Sequence, residues 1–181
     1  SHVHLPDASL LYDRSYCVDL SACKSEEECV DLVEAFAAAH PENEWIFGWG
    51  WIEWNWDQPI PPTYHSLERI KTDRPICLQA CHMHSAWLNK KALEICGITR
   101  ETPDPKGGKI GRFENGEPNG VLYEAEGVLL ATNRAFALPD DRLKASFLGF
   151  LRHASGFGIT SVGDVFPRAV ARENAYDLYQ A

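Results

Sequence analysis

The sequence has no long hydrophobic run, no signal peptide and no cluster of basic residues. No apolar stretch approaches the roughly 20 residues that a membrane-spanning helix needs. The formal net charge is −9 with scattered lysines and arginines, which argues against nucleic acid or an anionic membrane surface as a partner. These absences predict a globular, cytoplasmic protein of one domain or two small ones.

The sequence also contains no C-x-x-C pair, although it has six cysteines. This spacing disfavours a zinc ribbon or a thioredoxin-like site. The even number permits disulfides, so a disulfide-bearing binding domain is one alternative. Because there is no signal peptide and 45% of the residues are hydrophobic, we expect reduced thiols that behave as small buried apolar residues.

Strand-like and helical segments alternate along the chain, which predicts an α/β fold. Ser25 and Glu28 form a capping box at the start of one helix. Asn115-Gly116 predicts a hairpin turn within the turn-rich residues 99–120. Strands are predicted at 15–20, 45–51, 76–81 and 158–165. Further helices are predicted at 65–71, 85–96, 124–136, 138–156 and 168–179.

Polar side chains stand at the ends of several predicted strands, which is where parallel α/β folds build their sites. His2 and His4 are separated by one residue, so on a strand both imidazoles point to the same face and can converge on one metal ion. Three further groups have similar positions, and they are Trp49/Trp51/Glu53, His82/His84 and Asp164. Glu124 follows the apolar run 121–123 at the start of a predicted helix.

Each of these candidates also has a purely structural interpretation. Trp49 and Trp51 can simply fill a core, as indoles mostly do. His84 can stand at the N-cap of a helix, and Glu124 can be a first-turn glutamate that the helix dipole favours. The His2/His4 pair can be a surface accident or an expression remnant.

Several segments, taken in order, resemble the YtcJ-like amidohydrolases of amidohydrolase family 3. They begin with His2-Val-His4, Trp45-Ile-Phe-Gly-Trp-Gly-Trp51, Arg74-Pro75 and His84-Ser-Ala-Trp-Leu-Asn89. They continue through Thr102-Pro-Asp-Pro105, Gly107-Gly-Lys-Ile110, Gly116-Glu-Pro-Asn-Gly120 and Gly158-Ile-Thr-Ser-Val162. The resemblance covers nearly the whole chain. One departure is His82, because the family often has an acidic residue at that position.

The resemblance implies a TIM-like (β/α) barrel that binds zinc or a similar divalent ion and hydrolyses C–N bonds of small amides, including N-substituted formamides. His2 and His4 correspond to the metal motif at the end of the first barrel strand, and Glu124 corresponds to a further ligand. His84 is implied to line the substrate site, and Trp49 and Trp51 are expected to shape its pocket. A metal in such a site lowers the pKa of bound water and polarises the scissile carbonyl.

A complete barrel needs about 250 residues, so we expect residues 1–181 to be a fragment: a partial barrel truncated before closure, with 99–120 as a hairpin insertion. The isolated chain would then be inactive, because a catalytic zinc site needs about three protein ligands. The alternative is a non-catalytic regulatory or interaction module. Exposed sheet edges would make such a module self-associate as a homo-oligomer.

Overall fold

Two β-sheets organise residues 2–164, the part of the chain that the computed structural model describes. The smaller sheet pairs β1 (His2–Val3) in parallel with β8 (Gly163–Asp164). The larger sheet contains β2 (Cys17–Asp19), β3 (Ile46–Trp51), β4 (Ile76–Ala80), β5 (Ser85–Leu88), β6 (Lys109–Arg112) and β7 (Pro118–Tyr123). Its strand order is β2-β3-β4-β5-β7-β6. The chain therefore leaves the small sheet after β1 and returns to it at β8.

Helices connect the strands on both sides of the larger sheet. They are α1 (Leu5–Tyr12), α2 (Glu26–Ala39), α3 (Tyr64–Leu67), α4 (Lys90–Ile95), α5 (Glu124–Ala135) and α6 (Asp140–Gly156), with a short 3-10 turn at Glu53–Asn55. Within residues 2–164, none of these helices is long and apolar enough to cross a membrane. The helix predicted at 168–179 and the last residue of the strand predicted at 158–165 lie outside the described residues.

The larger sheet is mixed, with parallel pairings in one half and antiparallel pairings in the other. Strands β2, β3 and β4 run parallel, as predicted. From β4 onward every pairing is antiparallel, through β5 and β7 to β6. Because the strands of a (β/α)₈ barrel are parallel throughout, this sheet is not a run of barrel units. The α/β fold class is confirmed.

The segment after β4 is the strand β5, whereas the sequence predicted a helix from Ser85. A tight turn joins β4 to β5, with the backbone N–H of Met83 donating to the oxygen of Ala80 at 3.0 Å. Residues 85–88 are then buried between β4 and β7, where ladder hydrogen bonds prevail over local helix propensity. The helix begins only at α4, after Asn89, whose side chain accepts from the backbone of Ala92 and forms the N-cap.

The hairpin predicted within residues 99–120 is present. Gly116, with a φ of +86°, lies in the turn between β6 and β7. Such a left-handed conformation favours glycine, so the Asn-Gly signal was informative. The hairpin is integrated into the six-stranded sheet through the pairing of β7 with β5, and it forms one edge of that sheet.

Apolar side chains cover both faces of the larger sheet. On one face Phe47, Cys77 and Leu122 pack with residues of α5 and α6. On the other face Ile46 and Leu78 pack with residues of α2 and α3. Successive strand residues alternate between the two clusters, as the pleat requires. The sheet is thus a central layer between two layers of helices.

All six cysteines are free, and four of them are buried: Cys17, Cys23, Cys29 and Cys77. Burial raises the pKa of each of these four thiols above its ordinary value. Buried, protonated thiols act as small apolar side chains, which is the role that the sequence predicted for them.

Candidate functional site

The His-Val-His motif lies where the first strand ends. β1 stops at Val3, and His4 is an exposed residue at the N-cap of α1, with φ −109° and ψ 83°. In the parallel pairing with β8, Val3 lies beside Asp164. The structure therefore brings His4 and Asp164 to the same carboxyl edge of the small sheet.

The described residues do not complete a metal centre. Within residues 2–164, no group of three His, Cys, Asp or Glu residues is arranged so that it could hold a metal ion. A catalytic zinc site needs about three protein ligands and an open position. Glu124, which the family resemblance suggested as the third ligand, pairs with His84 instead. This part of the chain therefore does not by itself fit a complete catalytic zinc site.

His84 and Glu124 lie side by side at the carboxyl end of the larger sheet, although 40 residues separate them in the sequence. His84 Nδ1 lies 2.9 Å from Glu124 Oε2. The backbone N–H of Glu124 also donates to the oxygen of His84 at 2.7 Å. The side chains are 61% and 64% exposed, so a ligand can reach them. Two hydrogen bonds, one from the backbone and one between side chains, thus hold an accessible acid–imidazole pair.

Backbone strain is concentrated around this pair. Met83, with φ +67°, and Glu124, with φ +60°, are the non-glycine residues with positive φ in the described part of the chain. A left-handed conformation costs a non-glycine residue roughly 1–2 kcal/mol. Strained backbone of this kind clusters at functional sites, where the surrounding structure holds it in place. The strain therefore singles out the His84–Glu124 pair as a candidate site.

His82 belongs to the same group, and its strand-end position was recognised from the sequence without a role for its side chain. Its Nδ1 accepts a hydrogen bond from the backbone N–H of His84 at 3.1 Å. The two imidazole rings lie 6.1 Å apart between centroids, with 29° between their planes. The His-Met-His spacing was the available signal in the sequence, and Met83, between the two histidines, has a φ of +67°.

Trp49 lies on a sheet face with an unusual polar neighbour. In the register of β3 and β4, Trp49 stands directly beside Gln79, so both side chains point to the same face. Trp49 Nε1 and Gln79 Oε1 are both buried and have no hydrogen-bond partner among the described residues. A buried donor and a buried acceptor without partners are costly, which marks this position as one where water or a ligand would bind.

Trp51 lies in the core and not beside Trp49. The β3–β4 register shifts between the two tryptophans, at Gly50, and this irregularity turns Trp51 to the opposite face. Trp51 is 1% exposed, and its Nε1 donates to the oxygen of Leu78 at 2.8 Å. The core-filling interpretation given above describes its position, so we do not include Trp51 in the candidate site.

Glu53 is a second acidic group at this end of the sheet. Its Oε2 is buried without a hydrogen-bond partner among the described residues. Burial, together with the nearby charge of Glu53, raises the pKa of the Cys81 thiol and of the Tyr123 phenol. Because Cys81 follows β4 and Tyr123 ends β7, Glu53 brings a negative charge close to the same strand ends that carry His82 and Glu124.

The opposite end of the sheet contains an open cavity of about 850 Å³. It lies before the first residues of β2 and β3, and Asn43, Trp45 and Arg134 are among the residues that line it. None of the site residues predicted from the sequence lines this cavity. The chemistry-bearing residues therefore gather at the carboxyl ends of the strands, away from the cavity.

Comparison with known proteins assigns the chain to a class. The model of the amidohydrolase family matches residues 1–181. The YtcJ protein of Bacillus subtilis, described as an amidohydrolase, is 36% identical over 124 residues, which cover 68% of this chain and 23% of that protein. The chain belongs to the amidohydrolase family.

Two further comparisons are informative about relatives and fold. The N-substituted formamide deformylase of Arthrobacter pascens is 28% identical over 176 residues, covering 96% of this chain and 32% of that enzyme. The crystal structure of an uncharacterized metal-dependent hydrolase from Pyrococcus horikoshii superposes with a TM-score of 0.64 at 22% identity, covering 99% of this chain and 32% of that one. The chain thus spans a third or less of the length of these proteins, and it shares the fold of the Pyrococcus horikoshii hydrolase over that part.

Proposed function

We propose that this chain is part of a metal-dependent hydrolase that cleaves C–N bonds of small, non-peptide amides, including formamide-type substrates. The observation that carries the proposal is the family match over all 181 residues, together with a His-Val-His motif at a strand end. The similarity to a formamide deformylase supports the bond type. The metal-dependent hydrolase with the same fold supports a divalent ion.

In this proposal His2 and His4 bind the metal ion, for which Zn²⁺ suits the neutral imidazoles. The other ligands come from outside the described residues, since Glu124 pairs with His84. A bound divalent ion supplies an activated water and polarises a carbonyl. His84 and Trp49 border the amide substrate, His84 through its exposed ring and Trp49 through its indole N–H, which has no partner within residues 2–164.

The proposal also places the two sheets in different parts of the enzyme. β1 and β8 are parallel neighbours, as consecutive barrel strands are. The chain between them leaves through α1 and returns through α6, and these helices contact each other through Tyr12 and Phe150, whose rings lie 5.9 Å apart. We therefore assign β1 and β8 to the barrel, and the six-stranded sheet to a segment inserted between them.

The test uses the natural protein that contains this chain. Bound metal is measured by mass spectrometry, and amine release is measured from a panel of formamides and primary amides. His4→Ala should lose bound metal and amide hydrolysis together, since it removes one ligand. His40→Ala is the matched control, because His40 pairs with Glu42 at the surface and touches no candidate site residue. Full metal content and activity in His4→Ala would contradict the proposal.

The self-associating module remains the alternative, and the sheet edges speak against it. Within residues 2–164, the edge strands of the larger sheet are β2, with three residues, and β6, with four. β6 carries Lys109 and Arg112 and a register shift between Ile110 and Arg112. Short, charged and irregular edges resist pairing with another chain. Light scattering decides the matter: a dimer that persists on dilution and lacks metal would favour the module.

A further inference from the structure

The hydrogen bond at His82 fixes which of its nitrogens carries the proton. Its Nδ1 accepts from the backbone N–H of His84, a group that can only donate. Nδ1 must therefore present a lone pair. In the neutral ring the proton then lies on Nε2, so this nitrogen is a hydrogen-bond donor.

The bond at His84 fixes the opposite tautomer. Its Nδ1 lies 2.9 Å from Glu124 Oε2, and an ionised carboxylate can only accept. Nδ1 of His84 must therefore carry the proton. In the neutral ring Nε2 then presents a lone pair, so this nitrogen is an acceptor.

Two neighbouring imidazoles thus offer a donor and an acceptor. Their rings lie 6.1 Å apart and are inclined by only 29°. Both side chains are exposed, and no described residue bonds to either Nε2. An amide group has the complementary pair, since its carbonyl oxygen accepts and its N–H donates. An ester or a ketone has only the acceptor.

We propose that His82 and His84 recognise the amide group of the substrate, with His82 Nε2–H donating to the carbonyl oxygen and His84 Nε2 accepting from the amide N–H. This inference rests on the function proposed above and specifies how that site selects amides with an N–H over other carbonyl compounds. Glu124 is the positioning residue, because it holds the tautomer of His84 without touching the ligand. The positive φ of Met83 and Glu124 is the structural cost of placing the two rings together.

The first experiment measures the tautomers directly, with no substrate present. The natural protein is labelled with ¹⁵N-histidine, and the ring nitrogens are recorded at pH 8, where an ordinary histidine is neutral. Spectra of His82→Gln and His84→Gln assign the signals. We expect the proton on Nε2 in His82 and on Nδ1 in His84. Glu124→Ala should shift His84 toward the Nε2–H form, and Glu126→Ala, which removes a carboxylate from the same helical turn, should leave it unchanged.

The second experiment tests recognition with a pair of isosteric ligands. Benzamide and acetophenone share the aryl carbonyl, and a methyl group replaces the NH₂ in the ketone. Titration is followed through the same ¹⁵N signals. Glu124→Ala should reduce the preference for benzamide over acetophenone about tenfold, the effect of losing one hydrogen bond. His84→Phe should do the same, and Glu126→Ala should keep the wild-type preference.

The outcomes separate this inference from the proposed function. Identical tautomers at His82 and His84, or an unchanged ligand preference in Glu124→Ala, would overturn the inference even if the protein hydrolyses amides. Opposite tautomers with a Glu124-dependent preference would support it even if no hydrolysis is found, in which case the proposed catalytic activity alone would fail.

Discussion

Replacing Asn89 by alanine should lower the free energy of unfolding by about 3 kcal/mol. The side chain is 3% exposed and joins α4 to β4 and to the segment just before β4. Its Oδ1 accepts from the backbone N–H of Ile76 at 2.9 Å and of Ala92 at 2.9 Å. Its Nδ2 donates to the oxygen of Arg74 at 3.0 Å. Each buried hydrogen bond contributes about 1 kcal/mol, and alanine leaves all three backbone groups without this partner.

The assay is equilibrium unfolding in urea, with thermal melting beside it. For a chain of this size, a loss of 3 kcal/mol corresponds to a fall in melting temperature of about 6–12 °C. Asn89→Asp should destabilise as well, because it keeps the acceptor, loses the donor and buries a charge. Asn133→Ala is the control: Asn133 is exposed in α5, and alanine is the better helix former there. A cost below about 1 kcal/mol for Asn89→Ala would refute the reasoning.

Three further predictions test the frame around the site. Arg74→Ala should cost about 3 kcal/mol, since its guanidinium donates to three backbone oxygens in the last turn of α2 and just after it. Arg69→Ala, which loses an exposed 3.7 Å ion pair, should cost under about 0.5 kcal/mol by urea unfolding. Gly108→Ala should lower the free energy of unfolding by about 3 kcal/mol, because its Cβ would lie 2.2 Å from the backbone nitrogen of Gly127. Gly149→Ala is the control: it has open space around it and should stabilise α6 by up to about 1 kcal/mol in the same assay. Burial tends to raise the pKa of Asp13, but hydrogen bonds from Ser15 and Ser146 and the charge of Arg142 together hold this pKa below the ordinary 3.8. The ionised carboxylate therefore stabilises the fold above that pH, and this stabilisation is lost on acidification. Asp13→Asn should be less stable than wild type at neutral pH, and the difference in free energy of unfolding should shrink when urea unfolding is repeated below pH 3.8.

Local signals in the sequence predicted the elements whose causes are local. The Ser25–Glu28 capping box begins α2: Ser25 Oγ accepts from the backbone of Glu28 at 3.1 Å, and Glu28 Oε2 accepts from the backbone of Lys24 at 2.7 Å. The Asn-Gly turn between β6 and β7 and the helix α6 were also predicted from the sequence. These features depend on residues within one or two turns of each other, so a single sequence contains them.

The antiparallel half of the sheet could not be predicted in the same way. Its cause is the chain reversal at Met83. This residue has a left-handed backbone although it is not a glycine, so the sequence contains no signal for the turn. The short apolar run at 85–88 fits either a helix or a buried strand, and only pairing with β7, more than 30 residues later, decides between them. Tertiary contacts therefore determined this element.

The candidate site shows the same division. Trp49 and Trp51 have strand-like spacing, yet the register shift at Gly50 separates them onto opposite faces. Glu124 and His84 were both predicted as site residues, but for different tasks, because spacing along the chain says nothing about a contact across 40 residues. Chemistry-bearing residue types could be selected from the sequence, whereas their partners could not.

The segments that suggested the family also contain residues whose task is to set the register of the strands that carry the site. Gly120, with φ +97°, lies so close to β5 that an added Cβ would stand 2.7 Å from the oxygen of Leu88. This close approach aligns β7 with β5, so that Tyr123 pairs with Ser85. The residues just beyond that pair are Glu124 and His84, and their contact follows from the alignment. Because the site is assembled from distant strands, it depends on residues that align those strands as well as on residues that contact the substrate. The family pattern therefore extends far beyond the catalytic residues.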